Sequence, residues 1–199
     1  AGSARIPGGC PQFMQEQDLR TSALAVALLC EMDLGSESRM EPYIAALPAV
    51  LDFPIAWNDQ DIGFLGASLA CRLGLQEQQN RMQQTYDWLI EGGTLEKAKH
   101  PFDRFVYAMC VVTSRGFNLG DTYALVPFFD LLNHRNPPHV HWKRAEGGDN
   151  ASQEADEDGG VTMLAAEELK EGEEVFNSFG RRSDSDWLLS YGFVPGEEF

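Results

Sequence analysis

The chain has 199 residues, with 15 lysines and arginines against 31 acids and a formal net charge of −16. That charge excludes a general binder of the phosphate backbone, which needs clustered cations, and 43% hydrophobic residues exclude wholesale disorder. No apolar run reaches the ~18 residues of a membrane span. The four cysteines, Cys10, Cys30, Cys71 and Cys110, form no CxxC pair, which argues against a disulfide scaffold or a cysteine-based zinc site and for a reducing compartment.

Residues 1–20 are rich in Gly, Pro and Gln and read as irregular. The chain begins at Ala1 without a signal pattern and reads as a fragment. Leu24, Leu28, Leu29 and Met32 recur at helical spacing, with Thr21 or Ser22 as N-cap and Gly35 as stop. Glu41-Pro42-Tyr43 and Leu47-Pro48 read as breaks, because proline disfavours helix in the residue before it. Residues 58–114 read as a helical block. One helix follows Asn58-Asp59 with Ile62, Leu65, Leu69 and Leu73 on a face. A second carries Met82, Tyr86, Leu89 and Ile90, and a third carries Phe102, Phe105, Met109 and Val112. Residues 122–129 are apolar and suit a buried strand, and 133–138 read as a turn. Residues 144–160 form an acidic, solvated loop with Glu146, Asp149, Glu154, Asp156, Glu157 and Asp158; its spacing is not that of a cation-binding loop. A strand resumes over 161–165 and a turn over 170–173. Residues 174–179 are predicted as a strand with Val175, Asn177 and Phe179 on one face and Phe176 and Ser178 on the other. Ser183 caps a last helix, Asp186 follows three residues later, and Trp187, Leu188 and Tyr191 face inward. Helices followed by short strands, without βαβ alternation, give an α+β class. One domain over 21–195 is expected, with 196–199 as a tail.

The densest cluster of reactive side chains is Asp130, Asn133, His134, Arg135, His139, His141 and Trp142. His139 and His141, with Asp130 and His134, allow a metal-hydrolase site to be drawn. A third ligand at metal spacing is missing, which favours surface histidines beside a charged loop. No GxSxG elbow and no phosphate-cradling glycine loop is present.

Three stretches together carry more weight. Leu125-Val126-Pro127-Phe128-Phe129-Asp130-Leu131-Leu132-Asn133-His134 is followed by Gly172-Glu173-Glu174-Val175-Phe176-Asn177-Ser178-Phe179-Gly180, then by Ser183-Asp184-Ser185-Asp186-Trp187-Leu188-Leu189-Ser190-Tyr191-Gly192-Phe193-Val194. The order resembles the C-terminal half of a SET domain, in the non-histone branch that includes the Rubisco large-subunit lysine and actin-histidine methyltransferases. Upstream, Ser114-Arg115-Gly116-Phe117, Leu65-Gly66-Ala67-Ser68 and Glu41-Pro42-Tyr43 with Leu47-Pro48 agree in order and spacing, so the resemblance spans residues 22–195.

The resemblance implies small sheets with a pseudoknot between the Asn-His segment and the 175–179 strand, and residues 58–114 as a helical insertion. The glycine-rich N-terminal SET strands and the C-terminal helical lobe of the family would lie outside the sequence. It implies a protein methyltransferase using S-adenosylmethionine on a lysine or histidine of a non-histone protein. The alternative is a weak or inactive SET-like domain that binds a protein. Asn133, His134, Arg115 and Phe193 would hold the cofactor. Carbonyls of Ser114, Asp130 and Asn177 would line the transfer pore, with Phe179 at the family's tyrosine position, and Phe117 and Tyr191 would wall the substrate channel. No metal, nucleic acid or membrane is expected; the protein would be an intracellular monomer, in cytoplasm or nucleus, with the chloroplast as a further compartment. The chemistry is one of positioning: lysine, with an ordinary pKa near 10.4, must shed its proton and then lie in line with the methyl group. The chain departs from the family at Phe179, at Asp184 for an asparagine, and at Arg135, a bulky cation where a small residue is usual.

Overall fold

A computed structural model describes residues 11–66, 68–120, 122–144 and 160–196; the acidic stretch 146–158 and Cys10 lie outside them. The chain divides into two compact units. One runs to Gly116 and resumes with Arg182–Pro195, and the other holds Phe117–Arg181.

The first unit is helical. Helix α1 (Glu16–Leu34) starts earlier than its apolar spacing suggests, because Gln15 holds the N-cap and its N–H donates to the Asp18 carboxylate at 3.0 Å. Thr21 and Ser22, expected as caps, lie inside the helix and return their hydroxyls to the carbonyls of Gln17 at 2.9 Å and Asp18 at 2.7 Å. That bond to the preceding turn satisfies a small polar side chain in mid-helix. Gly35 ends the helix as expected. Helix α2 (Glu41–Ala46) corrects the break expected at Glu41-Pro42-Tyr43: Pro42 stands in the first turn, where its missing N–H has no helical partner to lose. The helix does end at Leu47, the residue before Pro48.

Asn58 caps α3 (Asp59–Gly63), its side-chain oxygen accepting N–H groups of Gln60 at 2.9 Å and Asp61 at 3.1 Å. The single helix expected through Ile62, Leu65, Leu69 and Leu73 is divided, because Gly66 takes φ +56°, a left-handed turn that no continuous α-helix holds. The next helix, α4 (Leu69–Glu91), takes in both Leu73 and the Met82–Ile90 pattern. Leu69 and Leu73 are exposed, and the buried face is Cys71, Leu75, Met82, Thr85, Tyr86 and Leu89. Helix α5 (Phe102–Arg115) buries Phe105, Val106, Ala108, Cys110, Val111 and Val112 and packs against α1 and α4. Leu29 and Val26 of α1, Leu75 and Leu89 of α4 and Phe105 of α5 are among its most buried side chains.

The second unit carries the strands. Strand β1 (Gly116–Asn118) pairs with β2 (Tyr123–Leu125). The buried strand expected over 122–129 is cut short. Phe128 takes φ +76° and its side chain is 74% exposed, and a 3-10 turn occupies Phe129–Leu131. An aromatic residue in that left-handed region is strained and cannot continue a strand. Strand β3 (Asn133–His134) replaces the start of the expected turn. Strands β4 (Val140–Arg144) and β5 (Val161–Ala165) pair antiparallel, with Trp142 opposite Met163. Strand β6 (Phe176–Asn177) is two residues, shorter than the strand expected over 174–179.

The chain then returns to the helical unit as α6 (Asp184–Tyr191), with the Ser183 hydroxyl accepting the Asp186 N–H at 3.2 Å as the sequence indicates. It packs on α4 and α5. Trp187 is buried, Leu188 and Tyr191 partly so. Among the described residues no helix is long and apolar enough to cross a membrane.

One ion cluster ties α1 to α5. Asp33 lies in the last turn of α1, where the helix dipole disfavours an acid. It receives His100 Nε2 at 2.8 Å, Lys99 Nζ at 2.9 Å and Arg104 Nη1 at 2.7 Å. Burial alone would push its carboxyl up, but the hydrogen bonds from Lys99, His100 and Arg104 outweigh burial and bring it down to about 2. A depressed carboxyl stabilises the fold above its unfolded value of 3.8, and the contribution is lost as pH falls through the native value. Asp33→Asn should therefore lower stability near neutral pH by ~1–2 kcal/mol after solvent screening. In urea unfolding, the gap to the parent protein should narrow steadily as pH falls from about 4 toward 2. A gap that stays constant with pH would show that the charge is immaterial.

Candidate active site

Most of the reactive residues read from the sequence meet where β3 and β6 pair. The strands run parallel, Asn133 opposite Phe176 and His134 opposite Asn177. The Arg135 N–H donates to the Asn177 carbonyl at 2.9 Å, and the His139 N–H to the Phe176 carbonyl at 2.9 Å. His134 is 5% exposed. Its Nδ1 accepts the Phe179 N–H at 3.1 Å, so the proton of the neutral ring sits on Nε2. Burial pushes the imidazole below its ordinary pKa of 6.5, consistent with a nitrogen that must stay unprotonated to accept. The Phe179 ring lies against this imidazole, with centroids 5.4 Å apart.

Asn133, Asn177, His134 and Phe179 are thus gathered on one short ladder. Asn133 is exposed and its side-chain amide donates to Glu174 at 2.6 Å. Asn177 is buried, its side-chain oxygen accepts the Ser178 N–H at 2.8 Å, and its carbonyl is already engaged once by Arg135. Asp130 is buried in the 3-10 turn just before β3. Phe117 is buried and meets Trp142 edge-on at 5.7 Å.

The other candidates belong to the helical unit. Ser114 and Arg115 end α5, where the last carbonyls have no partner within the helix; the Ser114 hydroxyl donates to the Cys110 carbonyl at 2.8 Å. Tyr191 and Phe193 pack on the buried Trp187, at 5.0 and 5.5 Å between centroids, with the Arg182 guanidinium 5.2 Å over Tyr191. Phe193 keeps 42% of its surface exposed, so packing does not use the whole ring.

The metal-hydrolase arrangement is not formed. Among the described residues no three of His, Cys, Asp and Glu are grouped to hold a metal ion. The expectation of surface histidines also needs correction: His134 and His139 are 5% and 8% exposed, each committed to a backbone N–H. His139, which spacing draws only as a metal ligand, accepts the N–H of Phe176, 37 positions away, at 3.2 Å. Arg135, the unexpected cation, contacts His139 Nε2. It pairs with Glu167 at 2.9 Å and donates to the Pro137 carbonyl at 2.9 Å.

The geometry has counterparts. The crystal structure of the SET domain of LSMT bound to lysine and AdoHcy matches with a TM-score of 0.73 at 22% identity, over 88% of this chain and 41% of that one. The chain has a SET fold. Rubisco LSMT bound to AdoMet gives a TM-score of 0.68 at 21% identity, over 89% of this chain and 40% of that one. Among curated SET relatives, the mouse SET domain-containing protein 4 is 29% identical over 192 residues, 86% of this chain and 41% of that protein. The zebrafish actin-histidine N-methyltransferase is 27% identical over 92% of this chain and 31% of its own length. The fission yeast ribosomal lysine N-methyltransferase set10 is 24% identical over 88% and 32%. This SET chain therefore spans 31% to 41% of the length of these relatives. No protein-family model matches it. The α+β class and the resemblance to this branch of SET proteins are borne out.

Proposed function

We propose that the protein transfers a methyl group from S-adenosylmethionine to a lysine or histidine side chain of a non-histone protein. The observation that carries this reading is the parallel ladder in which His134 holds the Phe179 N–H, on a fold shared with SET domains that bind AdoMet and lysine. The residues present fit the cofactor. Its sulfonium would be repelled by a free cation beside Asn133-His134, and Arg135 is instead neutralised by Glu167 at 2.9 Å. Asn133 keeps an exposed carboxamide. When bound, S-adenosylmethionine supplies a methyl group made electrophilic by the positive sulfur.

The chain's own residues then do the positioning. Asn133, His134, Arg115 and the exposed part of Phe193 hold the cofactor in this reading. The carbonyls of Ser114, Asp130 and Asn177 orient the N–H groups of the target nitrogen and attract the polarised methyl hydrogens. Phe117 and Tyr191 flank the target, and neutral His134 keeps Phe179 in place. The target nitrogen must arrive unprotonated, so the rate should rise with pH toward the lysine range. One observation favours the alternative of a protein-binding SET module: Phe179 brings no hydroxyl to the reacting nitrogen.

Calorimetry on the full-length protein tests the reading. Binding of S-adenosylmethionine and S-adenosylhomocysteine is expected, weakened roughly tenfold by Asn133→Ala as a hydrogen-bond partner of the cofactor is lost. Tritiated methyl should enter proteins of a lysate and be recovered as methyl-lysine or methyl-histidine. Binding without transfer would favour the module, and neither would end the methyltransferase reading.

A further inference from the structure

Residues 176–179 are held by little strand. Strands β3 and β6 are two residues each, and so short a two-stranded ladder is not stable alone in water. Two imidazoles supply what the ladder lacks. The Phe176 N–H donates to His139 Nδ1 at 3.2 Å, and the Phe179 N–H to His134 Nδ1 at 3.1 Å. Each imidazole lies against the phenyl ring of the residue whose N–H it accepts, with centroids 5.4 Å apart in both pairs. The His139 N–H returns to the Phe176 carbonyl at 2.9 Å, closing a two-way bond between these residues.

Both histidines are more than nine-tenths buried. A buried backbone N–H needs an acceptor, and an imidazole nitrogen accepts only while it carries no proton. The charged groups facing His139 are Arg135 from the turn and Glu167 after β5. Glu167 Oε1 lies 3.2 Å from His139 Nε2 and the Arg135 guanidinium contacts the same nitrogen; it is the Phe176 N–H donating to Nδ1 that leaves the proton of the neutral ring on Nε2, toward Glu167. Arg135 pairs with the same carboxylate and stands 5.9 Å over the Phe176 ring. On the side of His134 the aromatic neighbour is Phe179, and Glu174, just before β6, is bonded to Asn133.

We infer that His139 is a positioning residue: with His134 it fixes residues 176–179 through acceptor nitrogens, so that the segment bearing Asn177 and Phe179 is ordered only while both rings are neutral. Protonation turns each acceptor into a second donor facing the N–H it held. The segment then loses both anchors, and with them the placement of Phe179. For its activity arm alone, the inference rests on the methyl-transfer reading above.

The test is amide hydrogen exchange by NMR on the full-length protein, corrected for intrinsic rates. Between pH ~7.5 and a lower pH at which the ring nitrogen-15 shifts report protonation, protection at Phe176 and Phe179 should fall roughly tenfold or more. In His139→Asn, whose side-chain oxygen falls where Nδ1 was and accepts at any pH, Phe176 should stay protected at both pH values while Phe179 still loses protection. In His139→Gln, whose oxygen falls at Nε2 instead, Phe176 should be unprotected at both. Protection in the parent protein that does not change with pH overturns the inference. So does a nitrogen-15 spectrum showing the His139 proton on Nδ1, which requires no variant to fold. The acid limb of the methyl-transfer profile should shift to lower pH in His139→Asn. Absence of any transfer beside the expected exchange pattern would count against the proposed function and leave the positioning role standing.

Discussion

Phe179→Tyr in the full-length protein should raise the methyl-transfer rate by at least about tenfold, toward the roughly 10²–10³ that one oriented hydrogen-bond partner is worth in a preorganised site. Phe179 stands where the SET resemblance places a tyrosine, and its ring is partly buried against His134 at 5.4 Å. The added hydroxyl would offer the target nitrogen a fixed partner that the phenyl ring lacks. Cofactor affinity should stay within a few fold, because the hydroxyl serves the target and not the cofactor. If Phe179 is ordinary packing in a binding module, the hydroxyl has no such partner and is costly to bury. Rate and melting temperature read together decide it: an unchanged rate with lowered stability would sink the catalytic role.

Gly192→Ala should cost about 3 kcal/mol or more, since overpacking costs ~1–3 kcal/mol and a forced left-handed residue adds to it. Gly192 follows α6 at φ +79°, and a Cβ there would meet the Asp52 carbonyl oxygen at 2.3 Å. The obstacle is backbone and cannot rotate away. For a chain of this size the melting temperature should fall by roughly 6–12 °C. Gly180→Ala is the control: φ is +87° but nothing lies within 4 Å, so only the conformational cost of ~1 kcal/mol remains. Equal losses in the two variants would mean that the Asp52 contact contributes nothing.

Local signals carried the parts of the fold that local physics decides. The Ser183 cap, the Gly35 stop and the 161–165 strand follow from spacing and capping alone, whereas of the α5 face expected through Phe102, Phe105, Met109 and Val112 only Phe105 and Val112 are buried. Errors arose where one residue's backbone overrode a pattern. Gly66 split a regular apolar face, Phe128 ended a β-like run, and Pro42 occupied the one helical turn that tolerates it. The candidate site was legible only as an order of motifs. Asn133-His134 and residues 176–179 lie some forty positions apart, and no periodicity shows that they pair. His139 drew attention as a metal ligand because spacing reports residue types and cannot report that its nitrogen meets a backbone amide.

The helical unit is interrupted in sequence: Trp187 and the rest of Arg182–Pro195 belong with helices that end at Gly116. During synthesis those helices emerge first and then wait while roughly 65 further residues are added, about 3–13 s at typical ribosome speeds. Until α6 arrives, the groove beside Gly74 and Cys71 stays uncovered on the nascent chain. The unit can close only near the end of this stretch of translation, so a stalled or truncated product would present an open apolar seam to chaperones and proteases. Ribosome-bound chains arrested at residue 180 should be cleaved readily within α4, and chains arrested well past 195 should resist.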